Sequence, residues 1–234
     1  MTSHPASRPT RSTRSTGWAP VALLVLILIP AASGTLRLIQ LAGGPQLMRP
    51  DARMDTSPLP VVAHIVSGLL FAVAGTFQLS AALRRRSRSW HRRAGRVLVG
   101  AGFVAALSAL WMTLFYARQP GTGELAYVLR LAFGSVLGAF LLLGFTAIRR
   151  GDVRRHRAWM IRAYALALGA GTQAFTQGVG IAVFGRSVLV NDLALGAGWA
   201  INLAIAEYVI RRRRKTRGVT NRTVAAALGA NVAR

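Results

Sequence analysis

Apolar residues in this chain come in long blocks, not in alternation. Six blocks, Trp18–Leu41, Leu59–Leu83, Trp90–Tyr116, Leu125–Ile148, Ala158–Phe184 and Val188–Ile210, are separated by short polar stretches. Each is long enough to cross a hydrocarbon core of about 30 Å, which takes roughly 20 helical residues. A backbone in that layer has no water to bond, and a helix satisfies its own amides and carbonyls. The pattern therefore predicts an all-α fold, a polytopic transmembrane helix bundle of about six spans, over residues 18–210. Residues 1–17 are polar, basic and rich in Ser, Thr and Pro, and read as a disordered arm. Apolar character persists to Leu41 with no soluble domain behind it, so the first block reads as an uncleaved span. Residues 211–234 read as a basic, mostly solvated tail, with a short Ala-rich stretch at Val224–Ala230.

The polar stretches differ sharply in charge. After the second block come Arg84, Arg85, Arg86, Arg88, Arg92 and Arg93. After the fourth come Arg149, Arg150, Arg154, Arg155 and Arg157, and the tail opens Arg211-Arg212-Arg213-Arg214-Lys215. The stretches between are nearly neutral: Arg49 and Arg53 face Asp51 and Asp55, Arg118 faces Glu124, and Arg186 faces Asp192. The positive-inside rule puts the basic stretches, and with them both N and C termini, on the cytoplasmic side of an inner (plasma) membrane. An even number of spans keeps all of them on one side. Trp18, Trp90, Trp159 and Tyr208 then fall at the inner boundary, and Tyr116 and Tyr127 at the outer one, as interfacial belts require.

This distribution decides what the composition means. A formal charge of +24 on 234 residues would point to nucleic acid on a soluble chain. Here the charge flanks apolar blocks of a sequence with mean hydropathy +0.40, and no recognition fold accompanies it. The expected partners are the lipid bilayer, with anionic headgroups at the basic cytoplasmic loops, and no nucleic acid. There is no cysteine, which excludes disulfides, thiolate zinc sites and iron–sulfur clusters. No Walker loop, nucleophile elbow or HExxH string is present, so no soluble-enzyme reading arises.

Ionisable groups inside a span are costly and mark functional candidates. Here they are Arg37, His64, Arg130, Arg162 and Glu207. Arg37 and Arg130 are equally explained by snorkelling to the outer boundary. In the second block, His64, Gly68, Gly75 and Gln78 share one helical face at about 100° per residue. In the fifth, Arg162, Gly169, Gln173, Thr176 and Gly180 share another. A polar stripe across a span implies either a water-filled cavity or an interhelical hydrogen-bond seam. Glu207 falls at a depth where it can pair with Arg162. Gly134 and Gly138 have a GxxxG spacing, common by chance in a glycine-rich chain and so a weak sign of dimerisation. His91 and His156 each open a span beside arginines, a layout reminiscent of axial ligands to a haem b. His64 falls toward the opposite boundary, about 30 Å away, so three histidines cannot share one metal, and no metal site is expected.

Several strings resemble an uncharacterised bacterial membrane family, domain of unknown function 2306. They are PLPVVAHIVSGLLFAVAGTFQLS (Pro58–Ser80), WHRRAGR (Trp90–Arg96), ALWMTLFY (Ala109–Tyr116), HRAWMIRAYALALGAGTQ (His156–Gln173) and GWAINLAIAEYVIRR (Gly198–Arg212). The resemblance implies a multi-span membrane domain with no established activity. It marks His64, Gln78, His91, His156, Trp159, Arg162 and Tyr164 as positions of the family's motif. The expectation is an integral membrane protein with a polar intrabundle cavity formed by His64, Gln78, Arg162, Tyr164, Gln173 and Glu207. Such a cavity would take a small molecule, a quinone or a lipid. Two alternatives stay open: a haem-dependent membrane oxidoreductase using His91 and His156, and a small-solute transporter.

Overall fold

A computed structural model describes residues 19–80 and 85–232, with side chains for 21–54, 56–80 and 85–212. The basic arm 1–17 and Arg84 lie outside the described residues. The helices are α1 (Ala19–Leu41), α2 (Ala52–Thr56), α3 (Pro58–Leu79), α4 (Arg88–Phe115), α5 (Glu124–Arg149), α6 (Val153–Ala167), α7 (Gly169–Phe184) and α8 (Val188–Val232). No strand occurs among the described residues. Five of these helices, α1, α3, α4, α5 and α8, are each long and apolar enough to cross a membrane.

The surface is that of a protein solvated by lipid. Leu28, Leu107, Leu142, Val179 and Ile205 are exposed on five different helices. Apolar exposure on this scale has no place in water. The buried residues that hold the helices together are few and centred on Phe71, Leu98, Leu141, Ala163, Tyr164 and Leu168. This is the division a bilayer imposes, where helix contacts come from close packing of small residues and not from expelling water.

The fifth apolar block departs from its sequence pattern. In place of one span over Ala158–Phe184 the chain forms α6 and α7, of 15 and 16 residues, separated at Leu168. At about 1.5 Å per residue neither half crosses a 30 Å core alone, and together they do. At the break, Leu168 has ψ near 0°, and the Gly171 amide bonds back three residues to the Leu168 carbonyl at 3.1 Å. The cause is contact with two neighbours. A Cβ on Gly169 would fall on the Trp199 indole of α8, and one on Gly171 on the Leu26 carbonyl of α1. That carbonyl is itself special. Pro30, inside α1, has no N–H for the carbonyl four residues back, which is Leu26. Glycine is the residue that lets a backbone approach this closely.

The break sorts the helices. A ring runs α1–α3–α4–α5–α8–α7 and closes back on α1, while α6 packs against α3, α5 and α8. The end bearing the α4–α5 loop is tied together by Arg53 Nη1 donating to the Ala117 carbonyl (3.2 Å), Tyr116 to the Ser57 carbonyl (2.5 Å) and Asn191 to the Gly121 carbonyl (3.0 Å). The last helix continues from the membrane-length stretch to Val232, where the composition alone reads as a solvated tail. Nothing between Ile210 and Val232 stops it, since Arg, Lys and Ala favour helix and no proline intervenes.

The crossing at Gly171 yields a direct prediction. Gly171→Val is expected to lower stability by about 1–3 kcal/mol through overpacking. Gly138, around which a Cβ would meet nothing within 4 Å, is the matched control. There Gly138→Ala is expected to be neutral or to stabilise by about 0.5–1 kcal/mol. Thermal unfolding of the detergent-solubilised variants measures both, and equal behaviour of the two would refute the packing account.

Candidate functional site

Between the helices of the ring lies a partly open cavity of ≈540 Å³, within the range of about 300–1,000 Å³ typical of small-molecule sites. Its walls are small residues where helices face one another: Gly68 on α3, Ala105, Ala106 and Ala109 on α4, Gly134 on α5, Ala170 on α7. Phe133 and Trp199 form an aromatic side, with ring centroids 4.8 Å apart. One lining residue, Phe71, belongs to the buried cluster with Leu141, Tyr164 and Leu168. The mouth lies at the α4–α5 loop, where the lining residues Arg118 and Gln119 are exposed.

His64 and Gln173 reach this cavity from different walls. His64 Nδ1 lies 2.9 Å from the Ala105 carbonyl and 3.3 Å from Ser108 Oγ. Donation to the carbonyl places the proton on Nδ1 and leaves Nε2 as the accepting nitrogen. Gln173 Nε2 donates to the Leu195 carbonyl at 3.0 Å. The rest of the polar stripe on α7 faces α8: Thr176 donates to the Ala194 carbonyl (2.6 Å) and Thr172 to Asn202 Oδ1 (2.8 Å). The stripe is thus an interhelical seam whose edge, at Gln173 and Gln177, meets the cavity. It does not pack on the His64 helix, because the cavity lies between them.

The other candidates sit deeper or at the far end. The Tyr164 hydroxyl donates to the Ala72 carbonyl (2.6 Å) and lies 2.7 Å from Thr76 Oγ1, which is 1% exposed. Its ring fills the space left by Gly75. Arg162 Nε donates to Glu207 Oε1 at 2.5 Å and stacks over the Trp159 ring at 4.7 Å, with Arg211 on the other Glu207 oxygen at 3.8 Å. Gln78 Nε2 reaches the His91 carbonyl at 3.4 Å. Gln78, Arg162, Tyr164 and Glu207 are not among the cavity's lining residues.

The histidines weighed for haem are held by different helices. His91 is in the first turn of α4, and His156, in the first turn of α6, has Nδ1 2.8 Å from the Gly144 carbonyl of α5. Helices α4 and α6 are not packed partners, since α5 and α3 are the neighbours they share, and neither histidine lines the cavity. A haem held by both would have to sit beside α3 and α5, on which the two helices pack. Among the described residues no cluster of three or more His, Asp or Glu is placed to hold a metal ion.

Two features of the mouth escaped the sequence pattern. Asp192, expected as a loop counterion to Arg186, is 2% exposed and accepts from the Gly123 and Ala126 amides at 3.1 Å each. It caps α5 from another helix, which no local motif announces. Around the mouth stand three guanidiniums. Arg53 pairs with Asp51, and Arg118 with Glu124 at 2.7 Å while lying 4.4 Å over the Tyr127 ring. Arg130 Nη2 instead donates to a neutral partner, Gln119 Oε1, at 2.7 Å. Arg37, the remaining cation of the spans, donates to the Arg49 carbonyl at 3.2 Å and so ties α1 to the stretch before α2.

Hydrogen bonding from Arg53 holds the Asp51 carboxyl below its ordinary value of 3.8. A carboxyl depressed in the folded state stabilises above its unfolded value, and that contribution is lost as pH falls through the folded one. Asp51→Asn is therefore expected to lower thermal stability at neutral pH, where the ionised pair contributes, and to flatten its further loss below about pH 4. An unaltered acid limb would remove the tether from the account. For the cap, Asp192→Ala is expected to cost about 1–3 kcal/mol by orphaning buried amides. Asp192→Asn, which keeps one acceptor, recovers part of it, as unfolding in detergent will register.

No curated protein and no solved structure matches the chain. One family does, described as Predicted membrane protein (DUF2306), and its match spans residues 61–210, from the second turn of α3 to the membrane-length part of α8. The matched stretch holds His64, Arg130, Gln173 and Trp199, and with them most of the cavity wall. This chain is a multi-pass membrane protein of that family.

Proposed function

We propose that the protein is a membrane-embedded binding protein whose intrabundle cavity takes a small membrane-soluble molecule, a quinone or a lipid. The observation that carries this reading is the ≈540 Å³ space, open at the α4–α5 loop and bordered by the buried core at Phe71. The lining offers few polar groups on a mostly apolar wall, the usual make-up of a small-molecule site.

In the same reading the mouth faces away from the cytoplasm and both termini lie within it, in the plasma membrane. Arg149, Arg150, Arg154 and Arg155 are exposed around the α5–α6 turn, whereas Arg53 and Arg118 at the mouth are neutralised by Asp51 and Glu124. That asymmetry is the positive-inside pattern, and the exposed arginines meet anionic headgroups there.

Two measurements test the reading. A Cβ at Gly68 would meet nothing within 4 Å, so Gly68→Leu grows into the cavity without displacing a neighbour. Extraction and mass spectrometry of the purified protein should find a small lipophile in the wild type, depleted at least about 10-fold in Gly68→Leu at unchanged melting temperature. Equal content in both would contradict the cavity reading. Because the chain has no cysteine, single Thr122→Cys and Arg150→Cys variants report sidedness. A membrane-impermeant maleimide on intact cells should label the first and spare the second, and the reverse pattern would invert the topology.

A further inference from the structure

Resting on that cavity reading, we infer that its ligand is an amphiphile with a single acidic head, bound with the head at Arg130 and the chain along the apolar wall. The argument begins with charge at the mouth. Three guanidiniums line the cavity there, and two have carboxylate partners within 4 Å. Arg130 has none among the described side chains, and its hydrogen-bond partner is the neutral amide of Gln119. Asp192, the buried carboxylate that acts on Arg130 from a distance, commits its oxygens to the Gly123 and Ala126 amides.

An arginine carries five N–H donors in a planar fork matched to an oxyacid. One of Arg130's is spent on Gln119. The residue is half-buried, in the second turn of a membrane-length helix, where a cation without a carboxylate in hydrogen-bonding contact is costly. A ligand oxyanion removes that cost, and a charge-assisted pair in such a setting is the strong kind of hydrogen bond. Below Arg130 the wall turns apolar. Phe133 and Leu137 continue the same helix inward, opposite Ala105, Ala109 and Gly68. A headgroup without a chain leaves this surface empty, and a chain without an acid leaves Arg130 unpaired. Only a molecule with both parts satisfies the two ends together.

The test uses the full chain in phosphatidylcholine nanodiscs and compares three probes: laurate, dodecyl phosphate and dodecanol. Saturable binding of laurate or dodecyl phosphate, at least about 10-fold tighter than dodecanol, is the expected result. The tighter of the two acids tells a free fatty acid from a phosphorylated lipid. Arg130→Met should weaken the acids at least about 10-fold and leave dodecanol unchanged, and Arg130→Lys should lose less, since it keeps the charge without the fork. Gln119→Glu keeps the fold, as Gln119 is an exposed loop residue, and places a carboxylate beside Arg130. It should abolish acid binding by internal competition. Equal binding of laurate and dodecanol, both insensitive to Arg130→Met and Gln119→Glu but lost in Gly68→Leu, would overturn the acid head while the cavity reading stands. Probe binding that Gly68→Leu does not affect, or none at all, would overturn both.

Discussion

The close crossing of α1, α7 and α8 at Gly169 and Gly171 is the contact on which the rest of the bundle depends. Glycine at these positions lets the Leu26 carbonyl and the Trp199 indole come up against the α7 backbone. The same two residues weaken the helix where it would otherwise continue. The block divides there, so that its first half fills the centre of one end while its second half joins the ring. At the filled end, Tyr164 bonds into α3 and Arg162 into α8. At the other end nothing occupies the corresponding space, and a cavity remains. An unbroken helix over Ala158–Phe184 could not both sit inside the ring and be part of it.

Polar chemistry is distributed accordingly. Bonds that hold helices together gather at the filled end and along the α7–α8 seam, where side chains answer backbone carbonyls, the Asn202 amide or the Glu207 carboxylate. Removing one partner of the Arg162–Glu207 pair would strand a charge, which makes it a fixed part of the frame more than a reactive group. Polar groups that keep unused capacity lie around the cavity instead: the Nε2 of His64 and the remaining donors of Arg130. A site for a ligand is where donors and acceptors exceed what the fold consumes, and in this molecule that place is the mouth and wall of the cavity.

Much of this was legible in the residues. Block length located α1, α3, α4, α5 and the membrane-length part of α8 to within a few positions, because a bilayer leaves helix as the one solution for such blocks. His64 and Gln173 stood out as polar residues on apolar helices, and both line the cavity. Less was legible where geometry between distant segments decides. Ala158–Phe184 is the most polar of the blocks yet long enough to span, and nothing local marks Leu168 as its break, where the close neighbour is the Leu26 carbonyl well over a hundred residues earlier. Asp192 looked like a loop counterion because its partners, the amides of Gly123 and Ala126, carry no side-chain signal. Arg130 read equally as a functional candidate and as a snorkelling cation, since only the assembled mouth shows where the neighbouring carboxylates are engaged.

The proposal that the cavity opens only toward the α4–α5 loop can be tested at its wall. Gly68 faces open space, and the chain offers no competing thiol. In sealed vesicles of known orientation, Gly68→Cys should react with a small charged thiosulfonate added on the side of the α4–α5 loop. It should stay unmodified when the reagent is added on the side of the α5–α6 turn. Reaction from both sides, or from neither, would contradict the one-ended cavity on which the account rests.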